Sequence, residues 1–252
     1  MAATFAWSRD LLNAPARSLL ARLSVCAGGF SLATAEEVGV GPPVDVLAAL
    51  AELVERSLVT RTADVEDTER FRLLDPVRQS AAIALGGTER DDARSALTAR
   101  CWETARGLLD DLRGANEVSA LRLLEADLGN LRVTFEHCIA GARADDAAEL
   151  LWLLWFHLGI RGHAREGSAW AERLAPLPMG NVSRVRWLVG SAGVGFGTNP
   201  VQACRRAQEG MAVARRIGHD ALAAEAAMLA VLAARFSETC WPHGTCWWTP
   251  NG

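Results

Sequence analysis

From residue 88 to residue 236 apolar side chains recur at helical spacing, and no alternating run interrupts them. This is the tightest constraint on the fold, because amphipathic helices of this kind must bury their apolar stripes against one another. The periodicity predicts helices at 88–113, 116–141, 145–160, 163–175, 182–194, 200–217 and 220–236. Their short connections favour antiparallel pairs. Ala164 to Glu172 aligns with Val201 to Glu209 at an offset of 37 residues, near the roughly 34-residue period of tetratricopeptide helix pairs.

The first part of the chain is organised differently. Leu19, Leu20 and Leu23 fit one face of a helix, which the pair Gly28-Gly29 ends. Ser31 or Thr34 can cap a short second helix carrying Ala35 and Val38, closed by the glycine and proline cluster from Gly39 to Pro43. A third helix, Val44 to Arg56, places Val46, Leu47, Leu50, Leu53 and Val54 on one side. Ser57 to Thr62 and Arg70 to Leu74 read as two strands of a β-hairpin separated by the polar stretch Ala63 to Glu69. A fourth helix starts at Pro76, in the favoured first-turn position. Gly86-Gly87 ends that domain, and Thr88 with Asp91 supplies a capping signature for the next helix. The expected fold is mainly α: a winged-helix domain with a small β-hairpin at 1–86, tetratricopeptide-like antiparallel helix pairs at 88–236, and an irregular, disordered tail at 237–252.

Composition removes whole classes of chemistry. All 26 basic residues are arginine. Without lysine the chain can build neither a phosphate-cradling P-loop nor a Schiff base. The six cysteines are widely spaced without a Cys-x-x-Cys pair, so neither a zinc site nor a disulfide framework is expected, and most read as small buried apolar residues. The tryptophan-rich tail offers Cys240, His243 and Cys246 as a metal-binding reading, against the alternative of an out-of-frame ending after a truncation. Met1 to Asp10 shows no signal peptide, so a cytoplasmic location is expected. Ala147 to Ile160 and Ala221 to Ala234 are apolar but short of the roughly 20 residues of a spanning helix. Both read as core helices, with no membrane role.

Few residues point to a site. Gly190 to Thr198 is rich in glycine but follows no strand, so it reads as glycines at close helix crossings or as a loosened helix-to-loop passage. His137, His157 and His163 lack ligand spacing, and His157 reads as a core histidine. Trp152, Trp155, Phe156 and Trp170 form an aromatic stripe. They read as core residues or as the lining of a groove between helix pairs; in the groove reading Trp155 and Trp170, with Arg165 and Glu166, face a partner and Trp170 is the expected exposed member. No catalytic, cofactor-binding or metal-binding residue is expected.

Three ordered segments carry a family likeness. Leu23 to Leu32, Leu50 to Val59 and Phe71 to Ala81 resemble the segment just after the nucleotide-binding domain of bacterial STAND-type regulators, the LuxR-like and SARP-like predicted ATPases. Leu124 to Arg132 and Arg161 to Leu174 look like that family's inter-repeat linker and first tetratricopeptide-like repeats, so the resemblance covers residues 10 to 236. It implies a winged helix that clamps the nucleotide state of an upstream ATPase domain and helical repeats that receive a signal or partner. Arg72 to Asp75 stands where related regulators carry Met-His-Asp. Leu74 replaces that phosphate-sensing histidine, which leaves Asp75 and Arg78 as candidate contacts to an ATPase domain.

These readings converge on a non-catalytic fragment of a signal-responsive transcriptional regulator, without a cofactor, acting as nucleotide-state clamp and protein-interaction or sensor module. Its expected partner is a protein or the ATPase domain of a larger regulator. The third helix carries Asp45, Glu52 and Glu55 against Arg56, which argues against direct DNA binding. The alternatives are a stand-alone DNA-binding transcription factor, with Arg61, Arg70 or Arg72 of the wing on phosphates, and a non-functional remnant of a disrupted gene.

Overall fold

The computed structural model describes residues 11–39 and 45–236, so the expectations for residues 237–252 lie outside the described residues. The chain is mainly helical, with a small antiparallel sheet, and divides into two compact units, 1–140 and 141–252.

In the first unit, α1 (Ala14–Leu23) begins where Asn13 accepts a hydrogen bond from the Ala16 amide at 2.8 Å, with Pro15 in its first turn. It buries Ala16, Leu19, Leu20 and Leu23. A short strand β1 (Phe30–Ser31) leads into α2 (Leu32–Gly39), and the Ser31 hydroxyl accepts from the Thr34 amide at 3.2 Å. Of the two candidate caps it is therefore Ser31 that acts. In α3 (Val46–Glu55), Asp45 accepts from the Ala48 amide at 3.1 Å.

The wing is longer than expected. β2 (Val59–Val65) and β3 (Thr68–Leu73) run through most of the polar stretch 63–69, and only Glu66 and Asp67 turn. Both turn residues have left-handed backbone, φ 49° and 58°, which matches the right-handed twist of the strands they join. β1 adds to the hairpin in the order β1-β3-β2, pairing Phe30 with Phe71, whose rings stack at 6.0 Å. α4 (Asp75–Ala84) follows with Pro76 in its first turn.

The unit does not close there. α5 begins at Gly87 and runs to Gly107, so Thr88 lies inside the helix rather than capping it, and Gly86 holds the cap position. A 3-10 turn (Asp111–Arg113) connects it to α6 (Glu117–Ala140). Both helices fall in the same compact unit as the winged helix, which extends to residue 140. α5 packs on α1 and α2, α6 packs on α5, and a polar lock at the middle of α6, described below, joins that helix to the wing.

The second unit holds α7 (Ala144–Ile160), α8 (Ala164–Leu174), α9 (Asn181–Gly195), α10 (Pro200–Arg216) and α11 (Asp220–Arg235). α7 packs on α8 and α9, α9 on α10, and α10 on α11. The pairs α7–α8 and α10–α11 turn on Gly162 and Gly218, whose φ values of 86° and 73° suit residues without a Cβ. The glycine-rich segment lies within and just beyond α9. A Cβ at Gly190 would come within 3.1 Å of α7 backbone, and one at Gly193 would collide with the Trp155 ring. These glycines serve a close helix crossing, as expected. No helix among the described residues is long and apolar enough to cross a membrane.

Candidate functional site

The surface that a winged helix offers to a partner consists of its third helix and its wing. α3 buries Ala49, Leu50 and Leu53. Val46 and Val54 are only half-buried, and Leu47, expected on the buried side, is 61% exposed. The reason is geometric: Leu47 lies between Val46 and Ala48 on a helix whose inward face is set by the 49, 50 and 53 positions. Leu47, Ala48 and Ala51 thus form an exposed apolar strip, with Asp45 and Glu55 exposed at its ends. The Asp45 carboxylate occupies the helix N-terminus, the place where a backbone anion would otherwise dock.

The wing supplies less positive charge than its sequence promises. Arg61 pairs with Glu69 at 2.9 Å. Arg70 is buried, 4% exposed, and donates to the carbonyls of Gly29 and Ala126 at 3.1 and 3.0 Å and to the Asp127 carboxylate at 2.6 Å. It cannot also meet a phosphate. Arg72 is exposed. At the turn, hydrogen bonds from Ser119 and Arg122 hold the Glu66 carboxyl below the usual carboxylate range.

The residues around Arg70 form the lock between wing, loop and α6. Asn130, 1% exposed, accepts from the Gly28 amide at 3.2 Å and donates to the Gly29 carbonyl at 2.8 Å. Gly129 lets the two backbones meet, since a Cβ there would stand 2.8 Å from the Gly28 nitrogen. Leu124 to Arg132, which by its resemblance stood for an inter-repeat linker, is the middle of α6. Composition gave no sign of the Arg70 and Asp127 pairing, although both lie in or beside segments that carry the family likeness.

Asp75 and Arg78 stand one helical turn apart on α4, with Arg78 Nε 3.6 Å from the Asp75 carboxylate. Asp75 is exposed and Arg78 is partly buried.

In the second unit the aromatic residues are engaged from within. The Glu225 carboxylate of α11 accepts from the indole nitrogens of Trp152 at 3.0 Å and Trp155 at 3.1 Å. The Arg186 guanidinium lies over the Trp152 ring and pairs with Glu149 at 3.0 Å. Trp170, expected to be exposed, is 5% exposed. It falls on the same buried face of α8 as Gly167, Ala171 and Leu174. Arg165 is exposed and Glu166 half-buried in the first turn of that helix. The four candidate groove residues are thus divided between interior and surface. His157 is fully buried, its ring stacked on that of His163 at 5.9 Å. Cys26, Cys101, Cys138 and Cys204 are buried free thiols, and burial pushes Cys101 up to about 12.

Helix order, sheet order and wing define the class of the first unit, and the comparison with known families agrees. Residues 12–86 match a winged helix-turn-helix domain, which supports a regulator-type domain of the DNA-binding class. The chain is 38% identical over 97 residues to an uncharacterized protein of Mycobacterium bovis, and equally so to uncharacterized proteins of two Mycobacterium tuberculosis strains. The aligned part is 37% of this chain and 24% of each relative, so the chain spans about a quarter of the length of the curated relatives it matches. No solved structure matches the chain significantly.

Proposed function

We propose that this chain is the non-catalytic regulatory portion of a larger, signal-responsive transcriptional regulator, and that its winged helix contacts protein rather than base pairs. One observation carries the reading: the exposed face of α3 is the apolar strip Leu47, Ala48 and Ala51 with carboxylates at its ends. A DNA-reading helix presents arginine, asparagine or glutamine there. An exposed apolar strip fits a protein surface, such as the ATPase domain that the STAND-type resemblance implies, and helices 144–235 are the module that receives a signal or partner. The lysine-free sequence supports a role without phosphoryl chemistry of its own.

The test uses the full chain and a purified ATPase domain from a regulator carrying the same kind of winged helix, added in trans. The chain binds it and Leu47→Asp does not, with unchanged melting because Leu47 is exposed. Equal binding by wild type and Leu47→Asp, or saturable ATP hydrolysis by the chain alone, overturns the proposal.

The family match favours a second reading, direct DNA binding. The exposed arginines Arg56 and Arg72 would then meet phosphates. A low-salt gel shift on duplex DNA that weakens in Arg72→Ala would establish it in place of the first.

A further inference from the structure

A groove of about 340 Å³ opens on the first unit among the end of α1, α4, α5 and α6, away from the α3 strip. Its walls carry three arginines, Arg78 of α4 and Arg90 and Arg94 of α5, and no carboxylate. The three guanidiniums are in different states. Arg90 is fixed, donating to the carbonyls of Ala82 and Leu85 at 2.7 and 3.1 Å. Arg78 has a buried Nε with no hydrogen-bond partner, 3.6 Å from the Asp75 carboxylate. Arg94 is exposed and makes no ion pair or side-chain hydrogen bond among the described residues. The rest of the lining is largely apolar: Val25, Ala82, Ile83 and Val133.

Three guanidiniums converge on this groove, and among the described residues only Arg78 has a carboxylate, Asp75, beside it, so an anion entering the groove meets net positive charge. One carboxylate is satisfied by a single bidentate arginine. A phosphate monoester brings nearly two charges and three acceptor oxygens, which matches a set of three guanidiniums. The volume falls at the lower end of small-molecule sites, roughly 300–1,000 Å³, and the apolar wall takes an organic body. We infer that this groove binds a small phosphate-bearing organic molecule, its phosphate between Arg78 and Arg94 and its body against Val25, Ile83 and Val133. Arg90 presents a fixed positive edge beside them. The site is independent of the α3 contact.

Calorimetric titration of the full chain with phenyl phosphate, inorganic phosphate and benzoate tests it. Phenyl phosphate binds saturably, and inorganic phosphate, which lacks the apolar body, and benzoate, which lacks the phosphate, bind about tenfold more weakly. Arg94→Ala weakens phenyl phosphate about ten- to hundredfold, the worth of a charge-assisted hydrogen bond. Its circular dichroism and melting match wild type, and Arg94→Lys recovers part of the affinity. Leu47→Asp leaves this binding unchanged, which separates the site from the proposed protein contact. No saturable binding up to about 10 mM overturns the inference, as does equal affinity in Arg94→Ala. Benzoate binding as well as phenyl phosphate overturns the phosphate assignment, and so does a glutamate-rich peptide that binds when phenyl phosphate does not.

Discussion

Removing the carboxylate of Asp127 leaves Arg70 charged in a place where water cannot reach it. The Arg70 side chain is 5% exposed and that of Asp127 16%, so the pair is largely dry. Breaking such a pair by deleting one partner costs about 3–5 kcal/mol, because the surviving charge stays buried and uncompensated. In Asp127→Ala, Arg70 keeps two carbonyl acceptors, Gly29 and Ala126. The cost therefore falls at the lower end, about 3 kcal/mol. In Arg70→Met the residual carboxylate is nearer solvent and keeps Asn130 as a donor at 3.3 Å, so the cost is smaller, about 2 kcal/mol. Replacing both, in Arg70→Met/Asp127→Leu, leaves no buried charge and costs less than the sum of the single changes. Urea unfolding monitored by circular dichroism measures the losses, and hydrogen exchange of the Gly28 amide, which donates to Asn130, localises them. At about 2–4 °C per kcal/mol, Asp127→Ala melts about 6–12 °C lower in the transition of the first unit. If Asp127→Ala unfolds within about 0.5 kcal/mol of wild type, as an ordinary surface change does, the pair is not the lock described here.

Gly193→Ala places a methyl group in the Trp155 ring and destabilises the second unit by about 1–3 kcal/mol, read as a lower melting temperature with altered tryptophan emission. Glu66, held below the usual carboxylate range, stabilises the folded wing above the ordinary glutamate pKa, and that contribution is lost as pH falls through its depressed value. Stability of Glu66→Gln should accordingly vary less than that of wild type on acidification, and identical pH profiles would count against it. Burial pushes the Cys101 thiol up to about 12, so its peptide stays unmodified by iodoacetamide in the native chain at about pH 8. Labelling at the rate of a free thiol would contradict this.

Helical spacing located the helices to within a few residues from 117 onward, because each buries one stripe and the spacing records it. The hairpin was legible at its apolar ends. Its polar middle was not, since exposed strands carry no burial pattern and the Glu66-Asp67 turn has no glycine to announce it. Leu47 and Trp170 were misplaced for related reasons. An apolar residue beside a buried position does not reveal which way it faces, and flanking charges do not make a tryptophan exposed. The Arg70 to Asp127 bond joins residues 57 apart in sequence, and no local pattern encodes such a partnership. The three arginines of the groove come from two helices, so their convergence appears only in three dimensions.

The long reach of Arg70 also separates two boundaries that are easily equated. The winged helix-turn-helix match ends at residue 86. Yet the acceptors and packing surface that Arg70, Gly28 and Gly29 require lie at residues 126–130. A fragment ending at residue 86 would open Arg70 to water and strip it of the Ala126 and Asp127 acceptors, whereas one ending at Ala140 keeps both. The contacts of the winged helix thus continue into α6, past the residue where the homology match stops.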